Sequence, residues 1–194
     1  SLSRAQRLSD EKDPSIACES ALLALDHGDL QAALLHVDAA EVHGQNATTA
    51  YIRGNISAVK GQLKQALYHY SDCLTLDGAH IRARLNRSSV HMGLDDARKA
   101  LDDAEVLLDL APQLAVGRVR KGDAHMHLAE WEEASKEFKH VLEQAPHHTH
   151  ALTQLAACYM SMDRAERAEA PLNEALRQSP DHAAAWHQRG LYYM

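Results

Sequence analysis

The chain has few of the residues that build sheets, disulfide frameworks or membrane spans. Its 194 residues include one Phe, two Trp, six Tyr and three Cys. Strands are enriched in aromatic and β-branched residues, whereas this sequence is rich in alanine and leucine, which favour helices. It contains no apolar run near the roughly 18 residues of a membrane span and no signal-peptide pattern. The sequence therefore predicts an all-α protein without a membrane segment.

The motifs of the common enzyme classes are also missing. The sequence contains no G-x-S-x-G, no P-loop, no dinucleotide fingerprint and no H-E-x-x-H. We therefore expect no catalytic residues and no cofactor, and we predict that the chain is not an enzyme. The formal net charge of −7 argues against a nucleic-acid partner, because phosphate binding needs a basic face.

The three cysteines lie far apart and are odd in number, which is typical of a reducing compartment. They are Cys18, Cys73 and Cys158. We predict a cytoplasmic protein on this basis. Three N-x-[ST] sequons keep the lumen of the endoplasmic reticulum as an alternative, and they begin at Asn46, Asn55 and Asn86.

A spacing of 34 residues recurs along the chain. It relates three prolines, four alanines and a third series that follows each alanine by four residues: Pro112, Pro146 and Pro180; Ala66, Ala100, Ala134 and Ala168; Tyr70, Ala104, Phe138 and Leu172. Gly54, Gly122 and Gly190 stand at twice the interval. A glycine inside a helix costs about 1 kcal/mol relative to alanine. Gly122 therefore predicts a close helix crossing, which we expect at Ala134. Trp131 and Phe138 are expected to fill the space on either side, and we interpret the aromatic residues of the repeats as core rather than as ligand contacts.

These spacings resemble the tetratricopeptide repeat, whose framework is W-x2-L-G-x2-Y, then A-x3-F, then P. Its nearest match is the set Trp186, Gly190 and Tyr193. The resemblance implies a right-handed superhelical solenoid of helix-turn-helix units, with helix A of each unit lining a concave groove. Residues 1–12 are polar and charged, and we expect them to form a leader or linker. The resemblance places the repeat domain at 13–194, with repeats at about 14–46, 47–80, 81–114, 115–148 and 149–182 and a partial one at 183–194.

The groove is the predicted binding site for an extended peptide segment of a protein partner. The expected peptide-binding residues are Asn55, Arg82, Asn86, Met92, Arg120, Met126, His127, Gln154 and Met160. Four methionines recur at the 34-residue interval, from Met92 to Met194. They either line the groove for apolar side chains of the partner or pack between adjacent helices A.

Two segments of helix A are strongly basic. Residues 81–93 and 115–127 carry a single acid, Asp123, against six basic side chains: Arg82, Arg84, Arg87, Arg118, Arg120 and Lys121. The acids that balance them concentrate on the intervening helix B. We therefore predict a locally basic groove that attracts an acidic or carboxylate-ended peptide.

Part of this surface resembles the carboxylate-clamp repeats of co-chaperones. The resemblance rests on RGN, LNRS and RKG at positions 53–55, 85–88 and 120–122. It implies recognition of a chaperone C-terminal tail, with Asn55, Asn86 and Arg120 at matching clamp positions. The two lysine positions of the clamp are occupied here by Tyr51 and Val116, which removes much of its positive charge.

The histidines raise a metal hypothesis that their spacing does not support. His147, His148 and His150 cluster after Pro146, but no cysteine lies nearby in sequence, and we predict no metal site. His125 and His127 fall on different faces of their helix and are interpreted as solvated or groove histidines.

The C-terminal segment supports a second function. Residues 183–194 form a helix A without a helix B, which leaves five apolar residues without a partner face: Trp186, Leu191, Tyr192, Tyr193 and Met194. The leading prediction is a scaffold or adaptor, co-chaperone-like in its groove. The alternatives are a structural assembly subunit, self-associating through this helix or docked in a complex, and the regulatory arm of a larger enzyme.

Overall fold

The structure, a computed structural model, describes residues 13–42 and 44–194; the predicted polar leader at 1–12 lies outside these ranges. Within them the chain forms eleven α-helices and one short 3-10 helix, Ala165–Arg167, and no β-strand. The helices are α1 Pro14–Asp26, α2 Leu30–Glu41, α3 Ala47–Val59, α4 Leu63–Leu76, α5 Ile81–Gly93, α6 Ala97–Leu110, α7 Ala115–His127, α8 Trp131–Gln144, α9 Thr149–Ser161, α10 Glu169–Gln178 and α11 Ala183–Tyr192.

Several helices begin at a side-chain cap that the sequence encodes at the repeat interval. Asn46 forms a capping box with Thr49 at the start of α3. His80, His148 and His182 cap α5, α9 and α11, and each Nδ1 accepts the N–H of the residue three positions later at 3.1–3.2 Å. An imidazole nitrogen accepts only while it is unprotonated, so these caps need neutral histidines.

Helices α1 to α5 belong to one compact unit, which ends at Leu94. Consecutive helices pack against each other, and α3 also contacts both α1 and α5. These three helices therefore stand side by side. The core beneath them is a single apolar cluster, in which Val37, Ile52, Tyr70 and Cys73 are almost fully buried.

Helices α6 to α11 belong to a second unit, which begins at Asp95. Here α7 and α9 contact each other, as do α9 and α11, while α8 packs against both α7 and α9. Phe138, Val141 and Cys158 are fully buried in its main cluster, as predicted for Phe138. Trp131, predicted to be core, is only half-buried.

Gly54 of α3 and Gly122 of α7 are buried under aromatic rings. A Cβ built on Gly122 would lie 2.8 Å from Cε1 and from Cζ of Phe138, and one on Gly54 would lie 2.5 Å from Cδ1 of Tyr70. The predicted close approach at Gly122 is therefore present, but the nearest atoms belong to Phe138 rather than to Ala134. The ring from the following helix fills the space that a methyl group would occupy.

The predicted fold class, an all-α solenoid of helix-turn-helix units, is confirmed. Helix pairs such as α3 with α4 and α7 with α8 each carry a small residue on the first helix and a larger apolar residue on the second. In the part of the chain that the structure describes, no helix has the length and apolar character needed to cross a membrane.

Candidate functional site

A cleft lies in the first unit, on the side where α1, α3 and α5 stand next to one another. Its volume is about 710 Å³. Most of its walls are apolar, and its polar groups come from a few side chains. The lining residues are Leu22, Leu25, Asp26, Tyr51, Asn55, Ala58, Val59, Leu63, Tyr70, Arg82, Asn86, Ser89 and Val90. Three of the predicted site residues, Asn55, Arg82 and Asn86, are thus brought together in one cleft.

Two asparagines and a tyrosine form a hydrogen-bonded group in this cleft. The Tyr70 hydroxyl donates to Asn55 Oδ1 at 2.8 Å, and Asn86 Nδ2 donates to the same oxygen at 3.0 Å. Asn86 Nδ2 also lies 3.4 Å from the Tyr70 oxygen. Burial raises the pKa of Tyr70 to about 12, so this hydroxyl stays protonated and remains a donor. The two asparagine side chains are therefore held in fixed positions.

The remaining amide groups of this pair are available to a ligand. In the described part of the chain, Asn55 Nδ2 and Asn86 Oδ1 have no hydrogen-bond partner. Asn55 Nδ2 is a donor and Asn86 Oδ1 is an acceptor. A peptide backbone offers the complementary pair, a C=O acceptor and an N–H donor. A bound peptide segment satisfies both groups when its C=O and N–H face them.

The charges at this cleft nearly cancel. Arg82 and Asp26 both line it and both are exposed, and Arg82 makes no ion pair with any other described residue. Leu22, Leu25 and Leu63 contribute to the apolar part of the cleft wall. The arrangement suits an extended segment that inserts an apolar side chain and presents backbone amides, with at most one acid beside Arg82.

The predicted basic groove is much smaller than the six basic residues suggested. Arg84 donates to the carbonyl of Gly78 at 2.7 Å, and Arg87 Nη1 lies 3.3 Å from Ser71 Oγ. In the second unit, the predicted basic residues at 118 and 121 both pair with Glu137 of α8, at 3.3 and 3.4 Å. Four of the six side chains therefore point toward helix B or its connection, whereas Arg82 and Arg120 line clefts.

Arg120 lies in the second unit, in a cleft of about 440 Å³ that Val119 and His148 also line. Its guanidinium is 4.0 Å from Asp123, whose carboxylate also accepts from His150 Nε2 at 2.8 Å. An acid of the chain itself therefore sits where a ligand carboxylate would approach. Asn55 and Asn86 belong to the first unit and Arg120 to the second, so neither unit by itself holds all three clamp-matching residues.

The remaining predicted site residues have mixed surroundings. Met126 is half-buried against the Phe138 cluster and accepts from Cys158 Sγ at 3.0 Å, while Met160 packs against the cluster of Ala156 and Leu172. For these two methionines the packing interpretation describes the structure. Met92 and Gln154 are half-buried, and His127 is exposed.

The three histidines after Pro146 each contact a different group of the chain. His147 Nδ1 contacts Glu174 at 2.7 Å, His148 caps α9, and His150 contacts Asp123. No group of three metal-ligating side chains is close enough to hold an ion among the described residues. His125, interpreted as solvated or groove-lining, is buried, and its Nδ1 lies 2.6 Å from Glu130. That contact lowers the pKa of the Glu130 carboxyl.

The cleft residues that the sequence analysis missed include three with a clear role in its walls or hydrogen bonds: Leu22, Leu25 and Tyr70. Leu22 and Leu25 belong to α1, the helix A of the least regular repeat, and Tyr70 was assigned only to the core as the aromatic residue of helix B. The available signal for Tyr70 was chemical. An aromatic position that carries a hydroxyl needs a partner when it is buried, and its partner lies on the neighbouring helix A.

Comparison with known proteins supports the same fold. The tetratricopeptide repeat family model matches residues 126–189. YrrB, a TPR protein described as having an unusual peptide-binding site, is 24% identical, with a TM-score of 0.80 over 98% of each chain. MamA (41-end) from Desulfovibrio magneticus RS-1 is 16% identical, with a TM-score of 0.78 over 88% of this chain and 97% of that one.

A shorter neighbour carries a bound peptide. The first TPR of Spaghetti (RPAP3), bound to the HSP90 peptide SRMEEVD, is 24% identical, with a TM-score of 0.59 over 61% of this chain and 94% of its own. No curated protein matches this sequence significantly. The predicted resemblance is thus confirmed: the chain has the tetratricopeptide repeat fold, and residues 126–189 match the model of that family.

Proposed function

We propose that this chain is a non-enzymatic protein-interaction module, which binds an extended peptide segment of a partner in the cleft formed by α1, α3 and α5. The observation that carries the proposal is the Asn55–Tyr70–Asn86 group, which fixes one amide donor and one amide acceptor within apolar walls. A few fixed polar groups in a mostly apolar cleft are the usual composition of a binding site. Two similar folds, YrrB and the RPAP3 repeat, are described with peptide-binding sites.

The composition of the cleft favours a partner segment that places one apolar side chain against the cleft walls and pairs its backbone amides with the two asparagines. An acid next to this side chain pairs with Arg82, whose guanidinium is exposed at the cleft. A chaperone tail that ends in several acids is a weaker candidate, because Tyr51 and Val116 replace the clamp lysines and Asp123 accompanies Arg120. The proposed role is therefore that of an adaptor or scaffold.

The test measures peptide binding to the whole chain by calorimetry at two salt concentrations. The probes are SRMEEVD with a free and an amidated C-terminus, and variants in which the methionine or each acid is replaced by alanine. We expect the methionine replacement to weaken binding more than any acid replacement, because the cleft has apolar walls and one arginine. Replacing both Asn55 and Asn86 with alanine should weaken binding about tenfold or more, through two lost hydrogen bonds.

Matched variants separate recognition from folding. Tyr70→Phe keeps the ring over Gly54 and removes only the hydroxyl that holds Asn55, so a smaller loss is expected. Arg82→Ala should reduce salt-sensitive binding, whereas Arg98→Ala, an exposed arginine of α6 paired with Glu130, should leave it unchanged. If the double asparagine variant binds as tightly as the wild type, the cleft is not where these peptides bind. If none of the peptides binds, tails of this class are excluded as the partner segment.

The exposed face of α11 favours a second candidate function, assembly into a larger complex. Trp186, Leu191 and Tyr193 are 52%, 49% and 64% exposed, although their positions lie within or beside a helix of the stack. Sedimentation velocity over a wide range of concentrations tests whether two copies pair through this face. A monomer at all concentrations would exclude self-association through this face.

A further inference from the structure

The cleft of the first unit carries one charge of each sign, and neither charge is neutralised. Asp26 of α1 and Arg82 of α5 both line it, and both are exposed. Among the described residues, neither side chain makes a hydrogen bond or an ion pair. The other residues that line the cleft are uncharged. The cleft therefore holds two opposite charges, both available to a ligand, within apolar and uncharged polar walls.

The two charges lie on opposite flanks of the cleft. Helix α3 contacts both α1 and α5, so Asp26 and Arg82 come from the two outer helices of the three. Leu22 lines a neighbouring cavity of about 330 Å³ together with Arg82, whereas Asp26 follows Leu22 by one helical turn. The cleft is therefore basic on the side where α5 begins and acidic on the side where α1 ends.

Both charges have the sign that their position in the helix disfavours. Asp26 is the last residue of α1, where the helix macrodipole favours a cation. Arg82 is the second residue of α5, where the macrodipole favours an anion. Neither charge therefore stabilises its own helix, and both become favourable when a ligand supplies the opposite charge.

His80 adds a hydrogen-bond donor beside Arg82. Its Nδ1 accepts the N–H of Ala83 at 3.1 Å, so the proton of the neutral ring lies on Nε2. The ring lies against Tyr51, with 4.8 Å between the ring centroids, and both residues line the neighbouring cavity with Arg82. In the part of the chain that the structure describes, His80 Nε2 has no hydrogen-bond partner. The basic flank therefore offers a carboxylate the Arg82 guanidinium and the His80 Nε2–H.

We propose that the partner segment of this cleft carries an acid and a base on either side of its apolar residue, the acid at Arg82 and His80 and the base at Asp26. The inference rests on the proposed function, peptide binding between α1, α3 and α5, and adds the charge pattern of the partner. Packed helices lie about 8–10 Å apart, so the two outer helices are about 16–20 Å apart. An extended segment advances about 3.3 Å per residue, and long side chains on both flanks shorten the distance that it must span. An acid and a base four residues apart fit this width.

The probes are peptides with blocked termini, so that only their side chains carry charge. The parent contains Asp-Thr-Leu-Thr-Lys, two variants carry Asp or Lys at both ends, and a fourth has the composition of the parent with Asp and Lys adjacent. Each is titrated into the isotope-labelled whole chain and followed by NMR, in which the side-chain amide signals of Asn55 and Asn86 report binding in this cleft. We expect the parent to bind about threefold to fivefold more tightly than the other three at low salt, with a smaller difference at high salt.

Charge reversal in the chain gives the sharpest test. Asp26→Lys should make the peptide with two acids the tightest ligand, and Arg82→Asp should do the same for the peptide with two lysines. Both substitutions introduce the charge that the helix end favours, so the fold is expected to persist. Asp109→Lys is the matched control and should leave the order of the peptides unchanged. Asp109 is an exposed acid in the last turn of α6 and is not among the residues that line this cleft.

The asparagine signals separate a failure of the charge pattern from a failure of the cleft. If all four peptides shift the signals of Asn55 and Asn86 with equal affinity, the charge pattern is wrong and the proposed function stands. An unchanged order of the peptides in Asp26→Lys would also overturn the charge pattern. If no peptide of the panel shifts these signals, the charge pattern is refuted, and the SRMEEVD titration decides on the proposed function separately.

Two other occupants of the cleft would have signatures of their own, and either would overturn the proposal of an external partner. Dimerisation that Asp26→Lys abolishes would assign the cleft to a second copy of the chain. Residues 1–12 contain a base, an apolar residue and an acid in Arg7, Leu8 and Asp10. Much tighter peptide binding after alanine replaces these three residues would assign the cleft to the chain's own N-terminal segment.

Discussion

Replacing Gly122 with alanine tests the packing rule on which the repeats depend. The added Cβ would lie 2.8 Å from two ring atoms of Phe138, which is fully buried, so the helices must separate by about 0.6 Å to reach ordinary contact. Overpacking of this kind costs about 1–3 kcal/mol. Alanine returns about 1 kcal/mol through its higher helix propensity. We expect the free energy of unfolding to fall by about 1 kcal/mol.

The matched control is Gly190→Ala, the same substitution two repeat intervals later. Its Cβ meets no atom within 4 Å, so only the helix propensity changes, and a gain of up to about 0.5–1 kcal/mol is expected. Urea unfolding followed by circular dichroism measures both variants, and the comparison requires that the slope with urea stays constant. If both substitutions stabilise the chain equally, the ring of Phe138 does not restrict Gly122 and the reasoning fails.

A compensating change strengthens the test. The Ala156–Leu172 pair predicts that Phe138→Leu makes room for alanine at position 122. Either change alone should destabilise the chain, whereas together they should cost less than their sum. We expect a favourable coupling energy within the usual range of about 0.5–3 kcal/mol for residues in contact. Additive effects would show that the two positions pack independently.

Three further predictions concern single side chains. Burial raises the pKa of the Cys158 thiol to about 12. We therefore expect Cys158 to react with a thiol reagent only at the rate at which the surrounding helices open. Rapid labelling of the native chain would contradict this. His148→Ala should cost about 0.5–2 kcal/mol through the lost cap of α9, and His148→Asp should restore most of it in the same urea assay. Contact with Arg177 lowers the pKa of the Glu174 carboxyl to about 2. The Glu174–Arg177 ion pair therefore stabilises the fold above the ordinary glutamate pKa, and this stabilisation is lost as pH falls toward 2. The stability difference between wild type and Glu174→Gln should shrink over that interval, and a difference independent of pH would exclude this ion pair as its cause.

The positions of the helices could be predicted from the sequence because the same helix contacts recur at the repeat interval. Small residues such as Gly122 and aromatic residues such as Phe138 occur where helices cross, and a spacing of 34 fixes which of them meet. The nearest neighbour was nevertheless assigned wrongly, to Ala134, because periodicity identifies the helix that approaches and not the side-chain rotamer that fills the gap. Trp186 and Tyr193 of the last helix segment are exposed, as expected from the sequence.

The candidate site was predicted only in part, for reasons of side-chain direction. Asn55, Arg82 and Asn86 do line one cleft, yet Arg118 and Lys121 turn to Glu137 instead of the groove. A long basic side chain reaches an acid on either side of its helix, so position on the helix does not decide which partner it takes.

By itself, the sequence determined the helical class, the repeat interval and the glycine positions, because these depend on local propensity and on a pattern that recurs along the chain. Only the tertiary structure decided that Tyr70 joins Asn55 and Asn86, that Asp123 accompanies Arg120, and that Gly190 lies open. Each of these facts concerns atoms from different helices, whose distances depend on rotamers and helix crossings that no single segment encodes.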